Sequence, residues 1–196
     1  NLSADGVIGF GTIKALNYSK NERREQIIAN LERWKWFPND FGETYLLVNL
    51  PEYKLSFVSN KDTITTERII IGKASRKTPI LTSKLTNFVF NPTWTVPPTI
   101  LKEDLTPAAS KSRGYFEKNR ITIYNKKGEV ISAEDWLPEN ARSYRYVQRP
   151  GSDNSLGLVK FNFSNRHSVY LHDTNNRGNF TRENRAMSSG CVRVEN

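Results

Sequence analysis

Hydrophobic residues recur at helical spacing early in this chain and at alternate positions through most of the remainder. Residues 19–37 carry an apolar stripe at intervals of three and four positions, made of Ile27, Ile28, Leu31 and Trp34. Ser19 and Glu22 have the spacing of a capping box, and Pro38 cannot continue a helix. The pattern therefore predicts an amphipathic helix, and we interpret residues 19–44 as a connector that packs on a neighbouring domain.

Alternating apolar and polar positions predict a mainly β architecture after the connector. Strands are expected near residues 45–50 and 54–59, and the unbroken run Ile69–Ile71 is typical of a strand buried on both faces. Four later segments complete the pattern: TNFVFNPTWTVPP, LGLVKFNF, HSVYLHDT and SSGCVRV. A short helix capped by Thr12 is expected near the start, so the predicted fold class is mainly β with a few helices (α+β).

Residues 98–152 interrupt this alternation. They are charged, they contain four prolines, and they include a predicted hairpin, RITIYNKKGEVIS, that turns at Gly128. A long insertion between strands of one sheet is typical of a functional lid or a small subdomain. We therefore expect residues 98–152 to form a mobile lid inserted into the main domain.

Composition narrows the class of protein. Among 196 residues, 37% are hydrophobic and 25% are charged, which fits neither a disordered chain nor a membrane protein. The first residues lack the basic and apolar regions of a signal peptide, so we expect a fragment or mature form whose export signal lies upstream. The net charge of +9 favours either an anionic partner or simple solubility. Because the basic residues are spread along the chain, nucleic acid is not an expected partner.

The single cysteine, Cys191, precedes Arg193 by two positions, and His172 ends a predicted strand. Residues i and i+2 of a strand share a face, so Tyr170 is expected beside His172 and Cys191 beside Arg193. If the two strands are neighbours, all four side chains converge on one surface.

Such a group of side chains can support nucleophilic catalysis. A nearby imidazole and guanidinium favour the thiolate, and the backbone N–H groups of Gly190 and Cys191 can stabilise an oxyanion. Arg193 can instead hold a carboxylate through two hydrogen bonds. The alternatives are an inert buried cysteine and a structural histidine. One cysteine and two histidines without paired spacing do not favour a metal site, and no cofactor is expected.

The segment HSVYLHDT…SSGCVRV resembles the active-site signature of the YkuD-type L,D-transpeptidases. That signature is a histidine on one strand and, within about twenty residues, Ser/Thr-His-Gly-Cys followed by an apolar residue and arginine. The resemblance covers residues 45–196 and implies a catalytic β-sandwich with 98–152 as a lid or capping subdomain. Ser189 stands where the common motif has histidine, so no role is expected for a second imidazole.

Within this family the chain looks closest to the large YcbB-type periplasmic enzymes, which carry a peptidoglycan-binding module and a substrate-capping subdomain. Residues 1–18 resemble the C-terminal remnant of that module, through Asp5, Gly6, Gly9, Thr12, Ala15 and Leu16. The chain stops at Asn196, where relatives continue, and we expect further chain there. The resemblance also implies a periplasmic location, with any membrane contact made through an inner-membrane anchor upstream.

The resemblance implies a reaction between two peptidoglycan tetrapeptide stems, one the donor and one the acceptor. Cys191 would attack the carbonyl of diaminopimelate in the donor. D-alanine would depart, and a thioester on Cys191 would remain. The side-chain amine of the acceptor's diaminopimelate would resolve it into a 3→3 cross-link. His172 would act as base, oriented by the backbone carbonyl of Asp173, while the amides of Gly190 and Cys191 would hold the oxyanion.

The resemblance further implies that Arg193 and Tyr170 position the donor's carboxylates. Ser189 is also expected to bind substrate. Carbapenems are the expected inhibitors, through acylation of Cys191.

Several other functions remain open at this point. Water as acceptor would make an L,D-carboxypeptidase, and a lysine of a lipoprotein as acceptor would attach protein to the wall. A degenerate site would leave a non-catalytic peptidoglycan-binding protein. A papain-like or NlpC-type endopeptidase usually has cysteine before histidine, whereas His172 precedes Cys191 here.

Overall fold

The computed structural model describes Leu2, residues 5–38 and residues 40–195. Two helices precede the sheets: α1 (Phe10–Leu16) and α2 (Lys20–Trp34). The capping box of α2 is confirmed, because Ser19 Oγ accepts a hydrogen bond from Glu22 N and the Glu22 carboxylate accepts one from Ser19 N. The predicted start of α1 was wrong. Gly9 takes the extended backbone of an N-cap and its carbonyl accepts from Ile13 N, so α1 begins before Thr12.

The apolar stripe of α2 is not buried within the described chain. Ile27, Leu31 and Trp34 are 60%, 59% and 56% exposed. The packing of this connector on a neighbouring domain stays a prediction, as does the assignment of residues 1–18 to a binding module.

Twelve strands form in the described residues: β1 (Thr44–Asn49), β2 (Lys54–Ser59), β3 (Asp62–Gly72), β4 (Leu85–Phe90), β5 (Trp94–Thr95), β6 (Ile121–Tyr124), β7 (Val130–Ile131), β8 (Arg145–Gln148), β9 (Val159–Phe163), β10 (Leu171–His172), β11 (Ala186–Ser188) and β12 (Val192–Val194). The main sheet has the order β1-β2-β3-β12-β10-β9-β4, with β11 paired to β3. Its pairs are antiparallel except for the parallel pairs β10–β12 and β11–β3. The mainly β fold class is confirmed.

One hydrophobic cluster covers one face of the central strands of the main sheet. The buried members are Leu55, Ile69, Leu171, Val192 and Val194. Ile69 and Ile70 are both fully buried although they point to opposite faces, which confirms the interpretation of the isoleucine run. Burial on both faces makes the centre of this sheet a rigid base for side chains at its surface.

A second, four-stranded sheet has the order β5-β8-β6-β7. Three of its strands lie within the expected lid, residues 98–152, whereas β5 lies just before it and pairs with β8, so this sheet begins earlier than expected. Its helical elements are α3 (Pro98–Ile100), a π-helical turn (Leu101–Leu105), α4 (Thr106–Lys111), α5 (Gly114–Lys118) and a 3₁₀ turn (Pro138–Ser143). They enclose a separate hydrophobic cluster around Trp136, which is fully buried. We call residues 94–148 the inserted subdomain.

A further 3₁₀ turn, Arg177–Thr181, follows β10. In the part of the chain that the structure describes, no helix has the length and apolar character needed to cross a membrane.

Candidate active site

The predicted catalytic side chains meet at the parallel pair β10–β12. Leu171 is in register with Val192, and His172 with Arg193. Leu171 and Val192 face the core, so the opposite face carries His172 and Arg193, together with Tyr170 and Cys191 just before the two strands. The neighbouring strands that the sequence analysis required are present, and they bring all four residues to one surface.

His172 is 4% exposed and its ring is fixed by its own backbone neighbour. Nδ1 lies 2.5 Å from the carbonyl oxygen of Asp173, so Nδ1–H donates to that carbonyl and Nε2 is left as the proton acceptor. Burial, followed by the nearby charges of Arg193 and Lys160, lowers the pKa of His172 to about 3, although the carbonyls of Asp173 and Leu156 oppose this. The resting imidazole is therefore neutral, as a general base must be.

The side chain of Asp173 holds this carbonyl in place. Oδ2 accepts a 2.9 Å hydrogen bond from Leu158 N, and Oδ1 accepts one of 2.7 Å from Arg177 Nη2. Gly157 packs against the same carboxylate so closely that a Cβ there would lie 2.3 Å from Oδ2. Asp173 therefore contributes to the site through its backbone, with its carboxylate serving as an anchor.

Cys191 follows a tight loop that is held by hydrogen bonds from and to hydroxyl groups. Ser188 Oγ donates to the Cys191 carbonyl at 2.6 Å and accepts from Gly190 N at 3.2 Å. Thr78 Oγ1 donates to the Gly190 carbonyl at 2.9 Å. Gly190 has a φ of +119°, a conformation that residues with a Cβ rarely adopt, so glycine is needed at this position.

This loop changes the expected oxyanion site. The Gly190 N–H is already bonded to Ser188 Oγ, whereas the Cys191 N–H has no acceptor among the described residues. Of the two predicted donors, Cys191 N–H is the one available to a substrate oxygen, and Gly190 acts through its backbone conformation.

The Cys191 side chain is half-buried, and burial raises the pKa of its thiol. The N–H and hydroxyl groups of Tyr170, and the charges of Lys160 and Arg193, act in the opposite direction without overcoming it. The side chains of His172 and Cys191 share no hydrogen bond within the described chain. The resting pair is thus a thiol and a neutral imidazole, and the thiolate that the sequence favoured is not the resting form.

Arg193 has an unsatisfied guanidinium. Its Nε atom is buried without a hydrogen-bond partner among the described residues, and burial lowers the pKa of the side chain. An unpaired buried donor is costly to a protein unless a ligand satisfies it. Arg193 is therefore well placed to receive an anionic group of a substrate.

Tyr170 lies against the other site residues. Its ring centroid is 5.5 Å from that of His172, and burial followed by the proximity of Cys191 raises its pKa. Ser189 is exposed, and its Oγ accepts a 2.7 Å hydrogen bond from Arg76 Nη1.

Sequence analysis missed two basic residues of this site. Lys160 on β9 is in register with His172, and its Nζ lies 4.2 Å from the centroid of the Tyr170 ring. Arg76, in the loop after β3, contacts Ser189 and two carboxylates of the inserted subdomain. A lysine inside the predicted strand LGLVKFNF was a usable signal for Lys160, but the loop ASRKTP carried none for Arg76.

Two pockets lie near the site, one beside the Ser189–Gly190 segment that precedes Cys191 and one beside Tyr170. One, of about 320 Å³, is lined by Arg76, Thr99, Ser189 and Gly190, among other residues. The other, of about 370 Å³, is lined by Trp94, Pro98, Lys160 and Tyr170, among others. Both include residues at the base of the inserted subdomain, so a substrate at Cys191 would contact both parts of the protein. Among the described residues no cluster of three or more histidine, cysteine or carboxylate side chains could hold a metal ion.

The sequence matches one known family. Residues 43–196 match the model of the YkuD family, the L,D-transpeptidase catalytic domain, and this chain belongs to that family. A Haemophilus influenzae protein named "Putative L,D-transpeptidase" is 41% identical over 174 residues. The match covers 87% of this chain and 35% of that protein, so the chain spans about a third of the length of this relative.

A solved structure, the Ldtfm–avibactam carbamoyl enzyme, has a TM-score of 0.43 and 12% identity to this chain. The alignment covers 78% of this chain and 41% of the other.

Proposed function

We propose that this chain is the catalytic part of an L,D-transpeptidase that joins two peptidoglycan stems by a 3→3 cross-link through a cysteine thioester. The observation that supports it best is the shared face of β10 and β12. A thiol, a neutral imidazole and an unpaired guanidinium lie on that face beside two pockets. These groups suit nucleophilic acyl transfer on an anionic peptide.

The first half-reaction begins with Cys191 and a donor tetrapeptide stem. His172 accepts the thiol proton as sulfur attacks the diaminopimelate carbonyl, and the Cys191 N–H stabilises the oxyanion. The tetrahedral intermediate collapses when the imidazolium returns the proton to the departing D-alanine amine. The products are a thioester on Cys191 and free D-alanine.

The second half-reaction transfers the acyl group. The neutral side-chain amine of a second stem's diaminopimelate attacks the thioester carbonyl, His172 takes the amine proton, and the Cys191 thiol is restored on collapse. An amide bond between two diaminopimelate residues replaces the thioester. The inserted subdomain limits water, which competes as acceptor.

The predicted substrate-binding residues have complementary chemistry. Arg193 offers an unpaired guanidinium to a donor carboxylate, and Tyr170 and Ser189 offer hydroxyl groups at the borders of the two pockets. Carbapenems would acylate Cys191 by the same attack. The architecture proposed is YcbB-type, with residues 98–152 as the capping subdomain and residues 1–18 as part of a binding module.

Peptidoglycan as substrate places the proposed reaction in the periplasm, with an inner-membrane anchor upstream as the family resemblance implies. Water or a protein lysine as acceptor would use the same acyl-enzyme, giving a carboxypeptidase or a protein-attachment enzyme. No observation of the site favours either over the cross-linking reaction.

The test uses disaccharide-tetrapeptides with the full-length protein and its Cys191→Ala variant, with products identified by mass. A cross-linked dimer and one released D-alanine, in the wild type alone, are expected. Tripeptide without dimer would replace the transpeptidase with a carboxypeptidase. Absence of both products, with no carbapenem adduct on Cys191, would mean a non-catalytic wall-binding protein.

A further inference from the structure

Lys160 belongs to a row of charged or titratable side chains that crosses three strands. The β9–β10 register places it opposite His172, and the β10–β12 register places His172 opposite Arg193. Side chains in register on neighbouring strands project from the same face of a sheet. His172 therefore lies between two cationic residues, on the face that carries Cys191.

The ammonium group of Lys160 has no anionic partner within the described chain. It lies instead over the ring of Tyr170, with Nζ 4.2 Å from the centroid. The carboxylate of Asp173, the residue after His172, is bonded to Leu158 N and Arg177 instead. Two cations without protein counterions, Lys160 and Arg193, thus flank the catalytic histidine.

The position of Lys160 also gives it access to a ligand. It is half-buried and lines the pocket of about 370 Å³, together with Trp94 and Pro98 from the start of the inserted subdomain. Its neighbours there are mostly apolar or aromatic, so an anion entering this pocket would find Lys160 as its cationic partner. A partly desolvated charge pair of this kind contributes more than one at an open surface.

We infer that Lys160 is a specificity-determining residue that binds a carboxylate of the donor stem, so that Lys160 and Arg193 together recognise two carboxylates around the scissile bond. This inference rests on the proposed function. Two carboxylates belong to the residues that form the scissile bond: the α-carboxylate of the departing D-alanine and the side-chain carboxylate of diaminopimelate. The flexible stem of lysine suits a single point contact, whereas the planar guanidinium of Arg193 suits a two-point contact.

The experiment compares three donors with the full-length wild type and its Lys160→Met and Lys160→Arg variants. The donors are the free acid, the form amidated on the diaminopimelate side chain, and the form ending in D-alaninamide. The rate at which D-alanine or D-alaninamide is released gives kcat and KM for each combination of protein and donor. Lys126→Met removes a positive charge from an exposed hairpin turn and serves as the matched control.

For the free acid, Lys160→Met is expected to raise KM about tenfold or more, because it removes one charge-assisted hydrogen bond to the substrate. The kcat should change less than about threefold. Lys160→Arg should retain most of the affinity, and Lys126→Met should match the wild type. Amidation of the recognised carboxylate should raise the KM of the wild type as much as Lys160→Met does. The same amidation should not raise the KM of Lys160→Met any further. The donor that shows this non-additivity identifies the carboxylate.

An equal loss by Lys160→Met on all three donors, or a loss confined to kcat, would overturn the inference while leaving the proposed function intact. No release from any donor by the wild type would overturn the proposed function itself.

Discussion

Arg76 Nη1 donates a 2.7 Å hydrogen bond to Ser189 Oγ, two residues before the candidate nucleophile. The same guanidinium forms ion pairs with Glu103 and Asp104 of the π-helical turn in the inserted subdomain. The Arg76 side chain is only 7% exposed, and its two carboxylate partners raise its pKa even though burial opposes this. One buried cation therefore connects the inserted subdomain to the loop that positions Cys191.

Replacing Arg76 with methionine should loosen that connection. We expect Arg76→Met to lower the acylation rate of Cys191 on the order of tenfold, because small displacements at a reacting centre are costly. Hydrogen exchange of residues 98–111 should become faster in the variant. Arg120→Met, which removes a more exposed ion pair with Asp153, is the control and should change neither quantity. Unchanged acylation in Arg76→Met would show that the connection has no role in positioning.

Stability should depend on the protonation of His172. Its pKa is lowered to about 3 in the folded protein, against about 6.5 for an unperturbed histidine, so the unfolded chain binds one more proton between these values. The free energy of unfolding should therefore fall as the pH drops from about 6.5 towards 3, by up to about 1.4 kcal/mol per pH unit. Urea unfolding between about pH 4 and pH 7 measures this slope.

The variant His172→Gln should have a shallower slope than the wild type, because it removes the group that must stay neutral. His167 is exposed, so His167→Gln should keep the wild-type slope. Equal slopes in all three proteins would contradict the burial of a neutral His172.

The close approach of Gly157 to Asp173 can be tested with a single methyl group. Gly157 has a φ of +62°, and a Cβ would meet the Asp173 carboxylate. Gly157→Ala should lower the free energy of unfolding by about 2 kcal/mol or more and should reduce activity, because Asp173 orients His172. A Cβ on Gly178 would meet nothing within 4 Å, so Gly178→Ala is the control. Wild-type stability of Gly157→Ala, measured by thermal and urea unfolding, would be the contrary result.

The inserted subdomain has a polar bridge in its core. The Tyr146 hydroxyl accepts from Trp136 Nε1 at 2.6 Å and donates to the Ala141 carbonyl at 2.9 Å. Tyr146→Phe should leave the buried Trp136 Nε1–H unpaired and remove one of the two hydrogen bonds to the Ala141 carbonyl, which also accepts from Tyr144 N. The expected cost is about 1–3 kcal/mol. Tyr144→Phe removes a hydroxyl that lies outside this bridge and should cost less.

Hydrogen exchange locates the effect of Tyr146→Phe. Faster exchange should appear in residues 94–148 and not in the Ile69–Ile71 strand, because the two regions have separate cores. Uniform acceleration across both regions would indicate that they unfold as one unit. In the wild type, exchange as slow in 98–152 as in Ile69–Ile71 would contradict the predicted mobility of the lid.

Much of this protein was accessible from local sequence patterns. Period-two alternation predicted strands of the main sheet, and the Ser19–Glu22 spacing predicted the cap of α2. The isoleucine run predicted the burial that Ile69 and Ile70 show. The shared face of Tyr170 with His172, and of Cys191 with Arg193, was also predictable. All of these depend on residues close in sequence, where backbone geometry alone sets the direction of each side chain.

Tertiary structure decided the remainder. Lys160 and Arg76 lie beside the site only because β9 pairs with β10 and because the loop after β3 meets the inserted subdomain. The neutral His172 and the protonated Cys191 result from burial, which outweighs the nearby charges that favour the thiolate. The Gly190 N–H is taken by Ser188 because of the loop's conformation. Register, burial and loop closure depend on residues far apart in the chain. Local pattern could therefore point to a candidate nucleophile and base, but not to the cations and protonation states around them.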